Sequence, residues 1–369
     1  MVKYVKKYST TTEYNTFINT NPTEDYIIYC NDTKKTHFVH KNYFKFEVVN
    51  DGTITWQTNS TNNAKTISYS TDNGSTWTSV TSSTSGVSLG TFNAGQKVLI
   101  KGTNTAYGTD SYYNYFGGTA KVNVYGNIMS LIYGDNFINQ TTLTASYTFR
   151  YLFYGYSNLL SAEYLVLPAT TLAPYCYHHM FYGCTSLVTA PEIPAITLAP
   201  YCYQSMFMDC TSLVTAPELP ATTLADYCYG SMFYDCTSLM AAPELPATTL
   251  ANGCYQYMFQ GCTSLATAPE LPATTLANSC YESMFYGCTS LNNITCLATD
   301  ISATDCTNNW VKNVSATGTF SYREGTVWSS GDNGIPENWV ERVIPYNPGD
   351  QIGTNQPIDP IIPIIPVQP

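Results

Sequence analysis

Cysteine is the residue type whose number and spacing most suggest chemistry. The chain of 369 residues has 13 cysteines, and within one repeated segment two of them, Cys176 and Cys184, have seven residues between them. Structural zinc sites place paired cysteines only about two to four residues apart. Both cysteines also recur inside an apolar pattern, where a free thiol behaves as a small hydrophobe. We therefore predict buried thiols, with disulfides between neighbouring repeats and a metal site as the alternatives.

The histidines and hydroxyl side chains do not form a recognisable catalytic set. His178 and His179 occur in one repeat only, and the next repeat has Gln204 and Ser205 at those positions. A surface variation explains the pair better than a catalytic base, because no nucleophile and no phosphate-binding loop accompany it. We expect no enzymatic activity, no catalytic residues, no cofactor and no bound metal.

One short motif resembles the Asp-box of sialidases. Ser70, Asp72, Gly74, Thr76 and Trp77 follow the pattern S-x-D-x-G-x-T-W. The resemblance implies a structural role, in which the aspartate holds a hairpin turn and the tryptophan packs beneath it. A sialidase would also need an arginine triad around the substrate carboxylate, and this chain has three arginines in all. We therefore expect no sialidase activity.

A 26-residue repeat dominates the sequence. The segment LPATTLAPYCYHHMFYGCTSLVTAPE begins at Leu167, follows a degenerate copy that starts at Thr141, and returns at Ile193, Leu219, Leu245 and Leu271. A unit this short cannot bury its own apolar side chains, so the copies must stack. We predict a leucine-rich-repeat-like solenoid of about six coils, each with a short strand near 187–193 and a helical turn near 203–207. The predicted core ladders contain Cys176, Cys184, Leu187, Cys202, Cys210, Leu213, Cys228, Cys236, Leu239, Cys254, Cys262 and Leu265.

Two further columns of the repeat are candidates for surface recognition. The aromatic column contains Tyr177, Tyr203, Tyr229, Tyr255 and Tyr281, and the acidic column contains Glu192, Glu218, Glu244 and Glu270. For the tyrosines we favour rings stacked on the convex side with their hydroxyls in water, and an aromatic stripe that recognises a glycan or protein is the alternative. Like charges in a column are tolerated only while they stay solvated, so the acidic face should be open to a cation or a basic partner. Calcium bridging is a further hypothesis for that face.

The rest of the chain divides by composition, and we predict a mainly β protein in five parts. Residues 1–45 form a basic attachment segment, and residues 46–127, with alternating polar and apolar runs, form a small β-sandwich. Residues 128–310 form the solenoid and residues 311–343 cap its end, because an uncapped end would expose apolar side chains and open strands. Residues 344–369 have proline at every third position near the end, which is typical of polyproline II.

Charge is distributed unevenly along the chain. There are 15 basic and 26 acidic residues, a net charge of -11, which argues against nucleic-acid binding. Lysines concentrate near the N-terminus, whereas none lies between Arg150 and Lys312, so the two ends should meet different partners. The candidate residues for attachment to a particle are Lys3, Lys6, Lys7, Ile361, Ile362, Ile364 and Ile365.

Two sequence features bear on the compartment in which the chain folds. No run of about 18 apolar residues is present, so we expect no membrane insertion. The first residues carry lysines without an apolar stretch behind them, so we expect no secretory signal and folding in a reducing cytoplasm.

The repeat motif also resembles known families. Phe181, Cys184, Leu187 and Pro194 fit the F-x-x-C-x-x-L pattern and following proline of BspA-like (Treponema-type) leucine-rich repeats, which are mostly bacterial surface adhesins. The whole layout, from the KY-x-T-x-x-EY start to the N-G-I-P-x-x-W segment at 333–339, is more similar to fibre-like virion proteins of Bacteroidales phages, including the crAss-like group.

The second resemblance implies a non-enzymatic structural protein at the virion surface, which is a head fibre, a tail fibre or a capsid decoration. It implies contacts with other virion proteins, such as capsid or fibre-attachment proteins, adhesion to a host surface glycan or protein, and a homotrimer. The alternative is a secreted BspA-like adhesin on the bacterial cell surface.

Overall fold

The computed structural model describes residues 42–345 and, before them, the backbone of three strands. The fold is mainly β, which confirms the predicted class. The proposed attachment side chains of Lys3, Lys6 and Lys7 and the isoleucines of the tail lie outside the described residues. No helix in the described part of the chain is long and apolar enough to span a bilayer.

Fifteen strands form four sheets, with the strand orders β1–β2–β3, β10–β5–β8, β12–β11–β4–β9–β6–β7 and β13–β14–β15. The strands are β1 (Tyr4–Tyr8), β2 (Tyr26–Cys30), β3 (Lys35–Val39), β4 (Phe44–Asn50), β5 (Gly52–Thr58), β6 (Thr66–Ser70), β7 (Thr78–Thr81), β8 (Val87–Phe92), β9 (Lys97–Lys101), β10 (Asn114–Gly117), β11 (Lys121–Asn127), β12 (Leu159–Val166), β13 (Asn293–Cys296), β14 (Thr319–Arg323) and β15 (Val340–Ile344). Among the described residues, helix is limited to α1 (Ser130–Tyr133) and the 3-10 turns Thr61–Asn63 and Gly134–Asn136.

The β10–β5–β8 sheet and the six-stranded sheet pack against each other between residues 44 and 127. Alternate residues of β4 and β5 are buried, so each strand turns an apolar side inward. The rings of Phe46 on β4 and Phe116 on β10 lie 5.0 Å apart, and Trp56 on β5 lies 4.5 Å from Phe116. Aromatic contacts within the β10–β5–β8 sheet and between it and the six-stranded sheet therefore form the core of this region.

Strand β12 connects the packed sheets to the repeats. It pairs in parallel with β11 on one side, and on the other side Ser161 forms a parallel bridge with Thr189 of the next repeat. The same strand is thus the last strand of the six-stranded sheet and the first layer of the repeat region, which we define as residues 141–313.

The short strand predicted near 187–193 is wrong. Isolated bridges take its place, as between Thr189 and Thr215 and between Thr215 and Ala241. Pro191 and Pro194 follow directly, and proline has no N–H group to donate to a ladder. The segment therefore cannot extend its pairing beyond one residue.

The helical turn predicted near 203–207 is wrong as well. Residues 200–209 form a run of hydrogen-bonded turns, in which Gln204 N–H donates to the Tyr201 carbonyl (3.3 Å) and Ser205 N–H donates to Gly230 of the next repeat (2.9 Å). Tyr201, Ser205 and Asp209 have φ values of 58°, 54° and 60°. A left-handed residue at every fourth position stops a right-handed helix from forming.

The aromatic column lies in the core, which corrects its assignment to the surface. Tyr177, Tyr203, Tyr229, Tyr255 and Tyr281 are at most 1 % exposed, and neighbouring rings are 5.4–6.1 Å apart and nearly parallel. The hydroxyls of three of them are enclosed without a hydrogen-bond partner in the described part of the chain. Stacking occurs as predicted, but these hydroxyls do not reach water and the rings cannot serve as a recognition stripe.

The cysteines of residues 42–345 are buried free thiols. In the second column each thiol donates to the carbonyl of the phenylalanine in the preceding repeat, as from Cys236 to Phe207 at 3.1 Å. The equivalent distances from Cys184, Cys210, Cys262 and Cys288 are 3.1, 3.2, 3.0 and 2.9 Å. Burial raises the pKa of both columns, to about 12 for Cys228, so the thiols stay protonated and unreactive.

The run of turns at 200–209 has a counterpart in each repeat, and we call these segments, 146–155, 174–183, 200–209, 226–235, 252–261, 278–287 and 304–313, the turn runs. Backbone hydrogen bonds between the turn runs all point the same way along the repeats. Alternate N–H groups donate to a carbonyl of the following repeat, so the first run has carbonyls, and the last run N–H groups, that need partners from outside the repeats. The packed sheets supply donors to the first run, as from Tyr107 N–H to Thr148 O (2.9 Å). At the other end, the Asn333 side chain accepts from Asn309 N–H (2.7 Å). Both ends of the repeat region are capped by the polar group that they require.

Candidate functional site: the turn face

The turn runs send pairs of residues alternately inward and outward. In the repeat at 199–211, Cys202–Tyr203 and Met206–Phe207 are buried, whereas Tyr201, Gln204 and Met208 are partly exposed. We call the outward side chains of the turn runs the turn face. Their identity changes from repeat to repeat while the inward residues stay the same, so this face can differ along the molecule without disturbing the core.

A ladder of four tyrosines forms one edge of the turn face. The rings of Tyr147, Tyr175, Tyr201 and Tyr227 lie 4.8, 4.5 and 5.0 Å apart and are nearly parallel. Each ring covers the face of its neighbour, so the solvent-accessible part of these half-buried residues is the ring edge. The ladder ends at Gly253, where a Cβ would come within 2.3 Å of the Tyr227 ring.

A second group of tyrosines lies where the repeats meet the packed sheets. Tyr113 lies 4.3 Å from Tyr151 and 5.5 Å from Tyr154, and Tyr154 stacks on Tyr182 at 5.4 Å. All four are partly exposed. Burial, reinforced by the neighbouring phenols, raises the pKa of Tyr113 to about 12, so this surface presents neutral hydroxyls near neutral pH. Such a surface suits an uncharged polar partner or a protein.

Arg150 lies between the two groups and joins them to the connection between β9 and β10, residues 102–113, which we call the sandwich loop. Its Nη1 donates to the carbonyls of Thr109 and Asp110, the latter at 2.6 Å, and its Nε donates to His178 Nδ1 at 3.2 Å. The guanidinium also lies 5.0 Å from the centre of the Tyr151 ring. Its charge is thus engaged inside the chain rather than offered to a ligand.

The histidine pair is not a surface variation as predicted. His178 is 7 % exposed, and its Nδ1 lies 3.0 Å from Nδ1 of His179, which stacks on Tyr151 at 4.6 Å. Burial and the positive charge of Arg150 lower the pKa of His178 to about 2, with His179 also contributing, and that of His179 to about 3. Both rings are therefore neutral packing groups of the junction.

The C-terminal half of the turn face is polar. Glu282 accepts hydrogen bonds from Gln256 Nε2 (2.7 Å) and from the Tyr257 hydroxyl (3.3 Å), and Gln260 Nε2 donates to the Tyr234 hydroxyl (3.1 Å). Along the repeats, amide and carboxylate side chains therefore join the tyrosines of the turn face.

The acidic column is separate from the turn face. Glu192, Glu218, Glu244 and Glu270 are all exposed, in the proline-flanked segments that follow the single bridges. Over the residues that the structure describes, no three His, Cys, Asp or Glu side chains are grouped so as to hold a metal ion. The column is exposed, and its predicted role in binding a cation or basic partner stays a prediction.

The Asp-box residues hold the β6–β7 hairpin. Asp72 accepts hydrogen bonds from the Thr76 N–H (2.9 Å), the Thr76 hydroxyl (2.6 Å) and the Ser70 hydroxyl (2.7 Å), while Trp77 Nε1 donates to the Gly74 carbonyl (3.1 Å). These bonds, those of Thr76 first, lower the pKa of Asp72 to about 2. The polar groups of the motif therefore form hydrogen bonds within the turn itself.

Sequence reasoning missed the tyrosine ladder, although a signal for it exists. The motif Y-C-Y occurs at 175–177, 201–203 and 227–229, and becomes G-C-Y at 253–255 and S-C-Y at 279–281. The second tyrosine is constant and buried, whereas the first varies and is partly exposed. Variation among copies of a repeat thus marks the surface position.

No family model, no curated protein and no solved structure was found to match this chain. The turn face is therefore the feature from which a function can be proposed, because it is a rigidly supported aromatic surface.

Proposed function

We propose that the protein is a non-enzymatic adhesion protein that binds a host surface glycan or protein through its turn face. The observation that carries this proposal is the ladder of partly exposed tyrosines from Tyr147 to Tyr227, with Tyr113 beside it. The backbone N–H of each ladder tyrosine donates to a carbonyl of the next repeat, which holds the ring in place. Tyrosine offers a large contact area that loses little conformational entropy on binding. The variation of the outward residues among the repeats supports a role in recognition rather than in packing.

The repeat region serves, in this proposal, as a solenoid of about six coils that holds the turn face rigid. Support comes from the steps of 26 residues between stacked rings, as from Phe207 to Phe233 at 5.8 Å and from Phe233 to Phe259 at 5.7 Å. A stack in which each repeat contacts its neighbours gives an extended surface for a partner to bind.

The protein belongs, we further propose, to the surface of a phage virion, as a head fibre, tail fibre or capsid decoration in a homotrimer. The support is the resemblance of the repeat and of the two end motifs, together with the lysines near the N-terminus as a contact for other virion proteins. The second candidate is a BspA-like adhesin of a bacterial surface, favoured by the same F-x-x-C-x-x-L repeat.

Binding to intact Bacteroidales cells tests the adhesion function. The full chain is labelled fluorescently. The variant Tyr175→Ser/Tyr201→Ser replaces two ladder tyrosines with serine, the residue found at the equivalent position of a later repeat, Ser279. We expect at least a tenfold loss of cell binding, because the aromatic contact area is removed while the core is untouched. The control variant Tyr125→Ser/Tyr164→Ser removes a stacked pair of partly exposed tyrosines on β11 and β12, outside the turn face, and should bind as the unmodified chain does. Equal binding by the tyrosine variant would overturn the role of the turn face.

Two treatments of the cells identify the class of partner. Periodate oxidation removes glycan binding, and surface proteolysis removes protein binding. Mass spectrometry of purified phage particles separates the two proposed locations: the virion assignment requires the chain in the particles, and its detection only in bacterial envelopes would favour the adhesin.

A further inference from the structure

A cavity of about 690 Å³ lies between the last turn run and the loop that caps it. One wall is formed by residues between 308 and 316, and the other by residues between 329 and 338, which we call the cap loop. The volume falls within the range of small-molecule sites in proteins. The last turn run lies three repeats beyond Tyr227, the final tyrosine of the ladder, so the cavity is separate from the aromatic ladder.

Hydrogen bonds fix the two walls of the cavity relative to each other. The Thr307 hydroxyl donates to the Asn333 carbonyl (2.9 Å), and the Asn333 side chain accepts from Asn309 N–H (2.7 Å). Trp310 Nε1 donates to the Gly334 carbonyl (2.9 Å). The cavity is therefore part of the fold and is already formed without a ligand, which is the usual state of a small-molecule site.

Several polar groups that line the cavity are not used by the fold. The side chains of Ser329, Glu337 and Asn338 line it and form no hydrogen bond within the part of the chain that the structure describes. Asn313 lines it as well, and its N–H group has no acceptor among the described residues, whereas the equivalent Gly287 N–H donates to the following repeat (2.8 Å). The cavity thus offers donors and acceptors that a bound molecule can satisfy.

The composition of the lining favours an uncharged ligand that is rich in hydroxyl groups. Five of the 15 described residues that line the cavity are asparagine, whose amide places a donor beside an acceptor, as neighbouring sugar hydroxyls require. Two are the carboxylates Asp332 and Glu337, and none is lysine or arginine, so an anionic ligand is disfavoured. Lys312 lies outside the lining and pairs with Asp332 at 3.7 Å. Val314 and Ala316 add a small apolar surface.

We propose that this cavity binds a neutral saccharide. The amide side chains and the Asn313 N–H hydrogen-bond the sugar hydroxyls, Glu337 accepts from a further hydroxyl, and Val314 and Ala316 contact the C–H face of the ring. The site does not depend on the tyrosine ladder. It gives the chain a second contact with a glycan-covered surface, and two linked contacts bind such a surface more tightly than either contact alone.

An array of neutral and acidic glycans, probed with the fluorescently labelled full chain, tests the site. We expect neutral glycans to be bound, and Ala316→Trp, which fills the cavity, to lower the affinity for them at least tenfold. Thr317→Trp is the matched control, because it places the same side chain at the next exposed residue, outside the lining, and should bind as the unmodified chain does. Glu337→Ala/Ser329→Ala removes polar contacts without filling the cavity and should also weaken binding. Thermal melts of all variants check that the fold is kept.

The variant Tyr175→Ser/Tyr201→Ser separates this site from the tyrosine ladder. It should keep the neutral glycans that Ala316→Trp loses. Loss of these glycans by the ladder variant alone would place their binding on the ladder and overturn the cavity as a site. The absence of any bound neutral glycan, or a preference for acidic glycans, would overturn the proposed ligand class. Cell binding of the ladder variant tests the turn face independently of these results.

Discussion

At the scale of single residues, the two cysteine columns differ in what surrounds each thiol. Cys236 donates to the Phe207 carbonyl, whereas the Cys228 thiol has no acceptor in the described part of the chain. A thiol without a partner is acceptable in an apolar core, but a hydroxyl without a partner is not. Substitution of cysteine by serine should therefore destabilise the two columns to different degrees.

We expect Cys228→Ser to lower the free energy of unfolding by about 1–3 kcal/mol, because it buries an unsatisfied hydroxyl. Cys236→Ser should cost about 1 kcal/mol less, since its hydroxyl can still donate to the Phe207 carbonyl. Urea denaturation of both variants measures the difference. Equal losses would show that the Sγ–carbonyl contact does not distinguish the columns.

The buried histidines make stability depend on pH. Their pKa values in the folded chain, about 2 and about 3, lie below the value of about 6.5 in an unfolded chain. Below pH 6.5 the unfolded chain therefore binds more protons, and the folded state loses stability as pH falls. From pH 7 to pH 5 we expect the pair to cost about 2 kcal/mol, allowing for the partial exposure of His179.

The repeat itself supplies the control for this pH dependence. His178→Gln/His179→Ser introduces the residues found at Gln204 and Ser205, which do not titrate in this range. Thermal melts at pH 7 and pH 5 should show a smaller decrease in Tm for the variant. The remaining groups that face the pair are Arg150, Tyr151, Tyr175, Tyr182 and Gln204, and the variant leaves all of them in place.

At the scale of elements, the turn run explains what the sequence could and could not predict. The period of 26 residues placed the columns correctly relative to one another, because identical side chains stack on one another in equivalent repeats. It did not show that the column from Tyr177 to Tyr281 faces inward with the cysteines and leucines. That depends on left-handed residues such as Tyr201 and Ser205, and nothing in their type requires a positive φ.

Glycine residues in the sequence indicate one of the left-handed positions of the turn run, which the predicted helical turn did not take into account. The position of Asp209, with φ 60°, is glycine at Gly183, Gly261 and Gly287, each with a φ between 72° and 74°. We expect Asp209→Val to lower the free energy of unfolding by about 1–2 kcal/mol, because a β-branched residue is strained in this region. Asp209→Gly should be tolerated within about 0.5 kcal/mol. Chemical denaturation of the pair tests the turn run directly.

At the scale of the whole molecule, Arg150 and β12 join the packed sheets to the repeats. Arg150 binds two carbonyls of the sandwich loop, and β12 pairs with β11 on one side and with the next repeat on the other. Regions joined by shared hydrogen bonds and a continuous strand unfold together. We therefore expect one thermal transition for the described part of the chain.

Substitution of Arg150 should loosen this connection. Arg150→Met keeps much of the apolar stem but removes the donors to Thr109, Asp110 and His178. We expect a loss of about 2–4 kcal/mol and a broader or split transition in differential scanning calorimetry. Lys312→Met, at an exposed ion pair with Asp332, is the control and should shift Tm little. A single sharp transition at an unchanged Tm would show that Arg150 does not couple the two regions.

The one-way hydrogen bonding of the turn runs has a consequence for how the molecule can change in length. The turn run of any copy presents backbone donors to the next copy and acceptors to the previous one, so the backbone joints between turn runs are chemically equivalent. Duplication or deletion of 26 codons leaves both caps with the partners they need, whereas an insertion of any other size breaks the register. Natural variants should therefore differ in length by whole repeats of 26 residues. The tyrosine ladder can then lengthen while both capping segments keep their sequences.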